Sequence, residues 1–196
     1  MPSRAPTDAP MRRRSEHGQR SRSAVLILLA PVFLVALPAL FIGLGTRVDQ
    51  QMGLPPAPPP PANLIVGMPL ILAGGLLGLW SNYRLFTTGR GTPLPLIPTQ
   101  ELIIEPPYTR CRNPMALGAI SMFLGVAILV RSLGAILVVL LCAAALLTYI
   151  RFIEERELAA GFGPEYLDYR RRTPFLFPRL RTLRRGRRGN RDHVAA

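Results

Sequence analysis

Arg112-Asn113-Pro114 is the densest piece of potential chemistry in the chain, and it stands where a polar segment gives way to an apolar run over 115–130. An arginine presents a planar fork of donors that matches a carboxylate or a phosphate. Asn113 is a residue type that caps helix N-termini, and Pro114 suits the first helical position. Backbone N–H groups left open in a first turn, together with the positive end of the helix dipole, favour an anion. Gly118, one turn deeper, leaves space for a bulky group. These are the parts of a site for a small anion-bearing cofactor. They equally describe an interfacial arginine resting on a lipid phosphate beside an ordinary helix cap.

Glu154 and Glu155 directly follow the apolar run 133–150. If the runs on either side of Arg131-Ser132 form a hairpin, the pair returns to the end of the molecule that carries Arg112 and Asn113. Carboxylates there can receive hydroxyl or amino donors from a ligand. The plainer alternative is solvated charge, with Arg151 and Glu155 paired at i,i+4. Cys111 lies in a polar segment and Cys142 inside an apolar run, so they are expected at different depths and unpaired. The two histidines, His17 and His193, sit in polar tails, and no Cys/His spacing suggests a metal site. No residue is nominated as a general base, so the catalytic residue stays unknown.

The elements that must position these groups are membrane spans. Apolar runs cover 24–45, 64–80, 115–130 and 133–150. About 20 apolar residues cross the hydrocarbon of a bilayer. The first run suffices alone, and its length and lack of a small-x-small cleavage site mark it as a retained span, not a leader. The second extends through Trp80 and Tyr83 as interfacial anchors. The last two are one apolar block broken by Arg131-Ser132, too long for one straight span, so a helical hairpin turning at 131–134 is expected.

The chain has 24 basic residues, all arginine, and a net charge of +13 over 196 residues. They alternate. Six precede the first run, Arg47 alone lies between the first and second, four lie between the second and third, Arg131 alone breaks the hairpin, and twelve follow. The positive-inside rule then predicts four spans with both termini cytoplasmic. Pro55-Pro56-Ala57-Pro58-Pro59-Pro60-Pro61 in the external loop reads as stiff polyproline spacing the first two spans. Gly74 and Gly78 are expected to let the second span pack closely inside the molecule. Beyond 150 the helix is expected to run on into water and stop at Gly161. A short amphipathic helix over Pro164–Arg172 follows, ended by Thr173-Pro174. The expected architecture is therefore all-α and polytopic: four transmembrane helices including a hairpin, then a cytoplasmic C-terminal helix. It divides into a basic N-terminal segment 1–23, a membrane domain 24–178, and a basic tail 179–196 attracted to anionic lipid. Nothing besides charge suggests nucleic acid, and none is expected.

Gly91-Thr92-Pro93-Leu94-Pro95, Tyr108 with Arg112-Asn113-Pro114-Met115 and Gly118, Glu154-Glu155 with Leu158, and Phe162-Gly163 with Tyr166 follow one another in order. This series resembles the isoprenylcysteine carboxyl methyltransferase family and its bacterial and phospholipid N-methyltransferase relatives, over roughly residues 89–178. The resemblance implies a membrane-embedded methyltransferase that uses S-adenosyl-L-methionine and takes a lipophilic acceptor from the bilayer, in the cytoplasmic membrane of a bacterium. It places cofactor binding on Tyr108, Arg112, Asn113, Pro114, Gly118, Glu154 and Glu155. The chain departs from the pattern at Ala116, where the family commonly has tyrosine, and at Pro106, where it has glycine, while Glu105 stands where some members have histidine. A carboxylate, amine or phenol acceptor would each be compatible. Two other classes compete: a non-enzymatic accessory protein that keeps the scaffold, and a nicotinamide-dependent membrane reductase. Binding of S-adenosylmethionine or of a reduced nicotinamide separates them. Oligomeric state is not legible.

Overall fold

A computed structural model describes residues 30–88 and 102–177. The basic N-terminal segment, the 91–95 motif and the 179–196 tail lie outside the described residues. Among the described residues every regular element is helical: α1 (Val32–Met52), α2 (Ala62–Thr87), α3 (Pro114–Leu129), α4 (Leu133–Phe162) and α5 (Pro164–Arg172). α1, α2 and α4 are each long and apolar enough to cross a membrane, while α3 is equally apolar but has 16 residues. At 1.5 Å per residue α3 spans about 24 Å, less than the hydrocarbon, and α4 about 45 Å, well beyond it. The protein is a polytopic membrane protein. Its exposed Leu64, Ile65, Leu72 and Leu76 on α2, and Leu140 and Leu141 on α4, form the lipid-facing surface that such a chain requires.

The four long helices run up and down. α2 packs along α3, α3 and α4 form the expected hairpin, and α1 lies against α4 with a lighter contact to α3. Glycines set these approaches. A Cβ on Gly74 would come within 2.6 Å of the Gly118 carbonyl and the Met122 nitrogen, and one on Gly67 within 2.9 Å of the Gly125 carbonyl. Gly45 meets the Ala135 backbone as closely. Gly74 therefore packs within the molecule, as expected. A Cβ on Gly78 would meet nothing, although the Gly78 backbone lies against Gly118. Phe123, Ala127, Ala135 and Val139 form the core where these helices meet, with Phe41 of α1 edge-on to Phe123 at 5.2 Å.

One end of the bundle is tied by polar groups. α1 continues past the end of its apolar run to Met52, and Gly53, at φ 62°, ends it. That added length delivers Asp49 to the start of α4, where it accepts from Ser132 Oγ (2.5 Å) and the Gly134 N–H (2.7 Å). Ser132 in turn caps α4 by accepting from Ala135 N–H at 2.9 Å. Arg131 turns the hairpin at φ 61° and donates to the carbonyls of Pro58 (3.0 Å) and Pro56 (3.3 Å), fastening the proline loop. Asn63 of α2 donates to the Leu129 carbonyl at 3.1 Å.

Candidate functional site

The opposite end holds the candidate residues, and α4 decides which of its glutamates points inward. Val139, Ala143 and Ile150 mark its buried face. Continuing at i+4 would turn Glu154 inward. Instead Ile150–Glu154 forms a wide turn in which the Glu155 N–H bonds the Ile150 carbonyl, five residues back. The inward position falls on Glu155, which is 2% exposed, while Glu154 is only half-buried. Such single-turn bulges often accompany functional positions. α4 then runs on to Phe162. It ends at Gly163, with φ 57°, not at Gly161, because only residue 163 needs the positive φ that turns the chain into α5. α5 covers the expected Pro164–Arg172.

Glu155 is the hub of the site. It pairs with Arg112 at the mouth of α3, with Arg151 at 2.7 Å, the expected i,i+4 partner, and with Arg170 of α5 at 3.5 Å. The Arg112 side chain is 8% exposed and the Glu155 side chain 3%. Arg112 Nε is buried with no partner among the described residues. A buried guanidinium of this kind is held by its counter-charge and its remaining donors, and both are costly to lose.

Asn113 does not cap α3 with its side chain, as its residue type suggested. Its Nδ2 donates instead to the Phe175 carbonyl at 3.0 Å. Two neighbours do the same: the Arg112 N–H donates to the Pro174 carbonyl (2.9 Å) and Cys111 Sγ to the Leu176 carbonyl (2.8 Å). Three successive residues thus hold three successive carbonyls, and the segment 174–176 is strapped across the start of α3. The Phe175 ring lies 5.6 Å from the guanidinium carbons of both Arg112 and Arg151. Pro114 takes the first helical position as expected and is fully buried. Gly118 is placed differently from its expected use. The space it leaves is filled by the backbone of Gly74 and Gly78, so it serves the packing of α2 on α3. Ala116 is buried in the same helix.

Tyr108 joins the cluster from the loop before α3. Its hydroxyl donates to the Ser81 carbonyl of α2 at 3.4 Å, and its own carbonyl accepts from the Tyr169 hydroxyl at 2.8 Å. Burial pushes the Tyr108 phenol well above the usual tyrosine range, and the carboxylate of Glu154 pushes the same way. Tyr169 is raised by burial too. Tyr166 is raised by burial first and then by Glu155, against the pull of Arg112. Burial also raises the Cys111 thiol, opposed by the hydrogen bond from Asn113 and the charge of Arg112. The structure thus gathers Arg112, Asn113, Glu155 and the three tyrosines, with the Glu154 charge beside Tyr108, and leaves Gly118 to the helix interface. Phe175 and Arg170 were missed as site residues, and Tyr169 was not among those given cofactor binding. The sequence carries only a faint sign of them, an aromatic directly after the Thr173-Pro174 stop and arginines in the last turn of α5.

Fold and site together define an integral membrane protein with an arginine, carboxylate and tyrosine cluster at one end of its helices. The chain belongs to the phospholipid methyltransferase family, whose family model matches residues 62–165, just over half of it. That match spans α2, α3 and α4 and omits α1, Arg170 and the 174–176 strap. The chain is 33% identical over 124 residues to a cobalt-zinc-cadmium resistance protein of Cupriavidus metallidurans, covering 59% of this chain and 53% of the relative. It is 41% identical over 78 residues to methanethiol S-methyltransferase 2 of Bradyrhizobium diazoefficiens, covering 40% and 29%. It is 30% identical over 123 residues to a nickel-cobalt-cadmium resistance protein of Alcaligenes xylosoxydans, covering 63% and 53%. The chain therefore spans about half the length, or less, of these relatives. No solved structure matches it.

Proposed function

We propose that this chain is an S-adenosyl-L-methionine-dependent methyltransferase acting on a lipophilic acceptor drawn from the bilayer. The observation that carries the reading is Arg112: a nine-tenths-buried guanidinium at the mouth of α3, paired with Glu155, whose Nε has no partner among the described residues. Membership of the family and the methyltransferase relative support the same reaction class.

The residues present fit such a cofactor. The Arg112 guanidinium, beside the positive end of α3, favours a carboxylate. Glu154, half-buried and outside the Glu155 hub, is the carboxylate available to amino or hydroxyl donors. When bound, the cofactor supplies a methyl group on a sulfonium, already activated for in-line displacement. What the chain adds is binding, alignment and exclusion of water. Arg112 and Asn113 anchor one end, Tyr108 and Tyr169 wall the site, and the strap with Phe175 shields it. The acceptor enters between helices. Carboxylate, amine and phenol remain candidates, and the methanethiol named for the Bradyrhizobium relative adds a thiol.

The cofactor is cytoplasmic in this reading, so the Arg112 end and both termini face the cytoplasm, in the inner membrane of a bacterium. Reporter fusions in the proline loop and after Ser132 should then be external, and an external C-terminus would overturn the orientation. Purified protein in nanodiscs should bind S-adenosylmethionine. Arg112→Lys, which keeps charge and loses the fork, should weaken binding roughly ten- to a hundred-fold, since a hydrogen bond to a charged group is worth about 1.5–3 kcal/mol. Glu154→Gln should also weaken it. Unchanged affinity in both variants, with folding verified, would remove the cofactor from this corner.

A further inference from the structure

The strap that shields the start of α3 also bars it. Cys111 Sγ, the Arg112 N–H and Asn113 Nδ2 donate to the carbonyls of Leu176 (2.8 Å), Pro174 (2.9 Å) and Phe175 (3.0 Å). The Phe175 ring lies 5.6 Å from the guanidinium carbon of Arg112. Acceptor oxygens and a π face are thus laid on this corner by the chain itself, the same chemistry that a carboxylate-bearing ligand would bring to it. With the strap down, Cys111 is 2% exposed and the Arg112 side chain 8%.

The strap is built to lift. Thr173, just before it, is buried, and its N–H donates to the Tyr169 carbonyl at 3.0 Å, so the chain up to that point is fixed to α5. None of residues 174–177 is fully buried, and Phe177 is 73% exposed. One of the three hydrogen bonds comes from a thiol, a weak donor. A segment with so few buried apolar contacts opens at a lower free energy than the helices beneath it. The Phe175 ring, shared between the guanidiniums of Arg112 and Arg151, is its main fastening. The family match ends at residue 165, short of this segment. We infer that segment 174–176 is an autoinhibitory latch, hinged after Thr173, which must lift from Cys111, Arg112 and Asn113 before the methyl donor binds. The latch rests on the reading of Arg112 and Asn113 as anchors of that donor and adds a regulation of the same site. Closed, the strap takes the place of the ligand's acceptor oxygens. The apparent affinity for the donor is then reduced in proportion to the fraction of molecules whose strap is open.

The test uses the full chain carrying Cys142→Ala in nanodiscs, so that Cys111 is its one thiol. Maleimide labelling of Cys111, with no S-adenosylmethionine present, reads how often the strap lifts. Equilibrium binding reads the affinity for S-adenosylmethionine, and helical circular dichroism verifies folding. Phe175→Leu removes the ring and keeps an apolar side chain. It should speed labelling roughly ten-fold, the scale of a cation–π contact out of water, and tighten S-adenosylmethionine binding by the same factor. Phe175→Tyr keeps the ring and should match the wild type in both. Faster labelling with weaker binding in Phe175→Leu would make the strap part of the bound state and overturn the latch. Equal labelling in the wild type and Phe175→Leu would overturn it too, because the ring then does not hold the strap. Faster labelling with an unchanged, measurable affinity overturns the latch and leaves the cofactor reading standing. Faster labelling with no binding in either folded protein overturns the cofactor reading itself, and the competition with it.

Discussion

Replacing Glu155 with glutamine removes the carboxylate that three arginines share. Arg151 and Arg170 are 43% and 38% exposed, so each of those contacts contributes at most about 1 kcal/mol. Arg112 is different. Its side chain is 8% exposed, and stripping a buried charge of its partner costs about 3–5 kcal/mol. The expected loss for Glu155→Gln is therefore about 3–5 kcal/mol, nearly all of it from Arg112. For a chain of this size that lowers the unfolding midpoint by roughly 6–20 °C. The internal control is Arg84→Gln, which breaks a 2.7 Å pair with Glu105 whose side chains are 33% and 52% exposed. It should cost no more than about 1 kcal/mol. A third variant sharpens the test. Arg112→Met with Glu155→Leu removes both charges, and such replacements are often neutral or better, so it should recover most of the stability while abolishing cofactor binding. Thermal unfolding followed by helical circular dichroism in one detergent measures all three. Equal shifts for Glu155→Gln and Arg84→Gln would refute the argument that burial sets the worth of the pair.

Three other outcomes follow from the packing and the loops. Gly74→Leu forces α2 away from the Gly118 carbonyl and should cost about 1–3 kcal/mol or more, while Gly78→Ala, whose Cβ meets nothing, should be neutral or stabilising; equal effects on unfolding would contradict the interface. Arg131→Leu loses both hydrogen bonds to carbonyls of the proline loop, so protease access to residues 55–61 should rise while S-adenosylmethionine affinity is kept, and a lost affinity in folded protein would tie the loop to the site. Burial raises Tyr108, Tyr169 and Cys111, so the folded state holds these protons more tightly than the unfolded chain. Their contribution is full below the ordinary values and lost as pH rises through the raised ones. Stability should thus fall on the alkaline side, beginning above about pH 8.5 for the thiol and about pH 10 for the phenols. A flat profile from pH 8 to 11 would show these groups reaching water.

Much of this architecture is written in single residues. Uninterrupted apolar runs have no stable alternative to helices in a bilayer, because every backbone group must be satisfied within the segment. Arg131-Ser132 is a polar break that only a turn can place outside the hydrocarbon. Pro164 and Thr173 bound α5 because each acts on its own backbone, and the order of Arg112-Asn113-Pro114 and Glu154-Glu155 was enough to point to one site. Other features depend on groups far away in the chain. Residues 46–52 remain helical because Asp49 meets the start of α4, a contact across 83 positions that no local pattern encodes. Asn113 is a cap by residue type, yet its amide goes to Phe175, 62 residues on. Gly118 is open space in the sequence and a helix contact in the structure, because α2 fills it. Nothing in Glu154-Glu155 says which carboxylate turns inward. The wide turn after Ile150 decides it, and that turn exists where one additional residue brings Glu155 against Arg112, so the choice is made by packing between helices and not by the residues themselves.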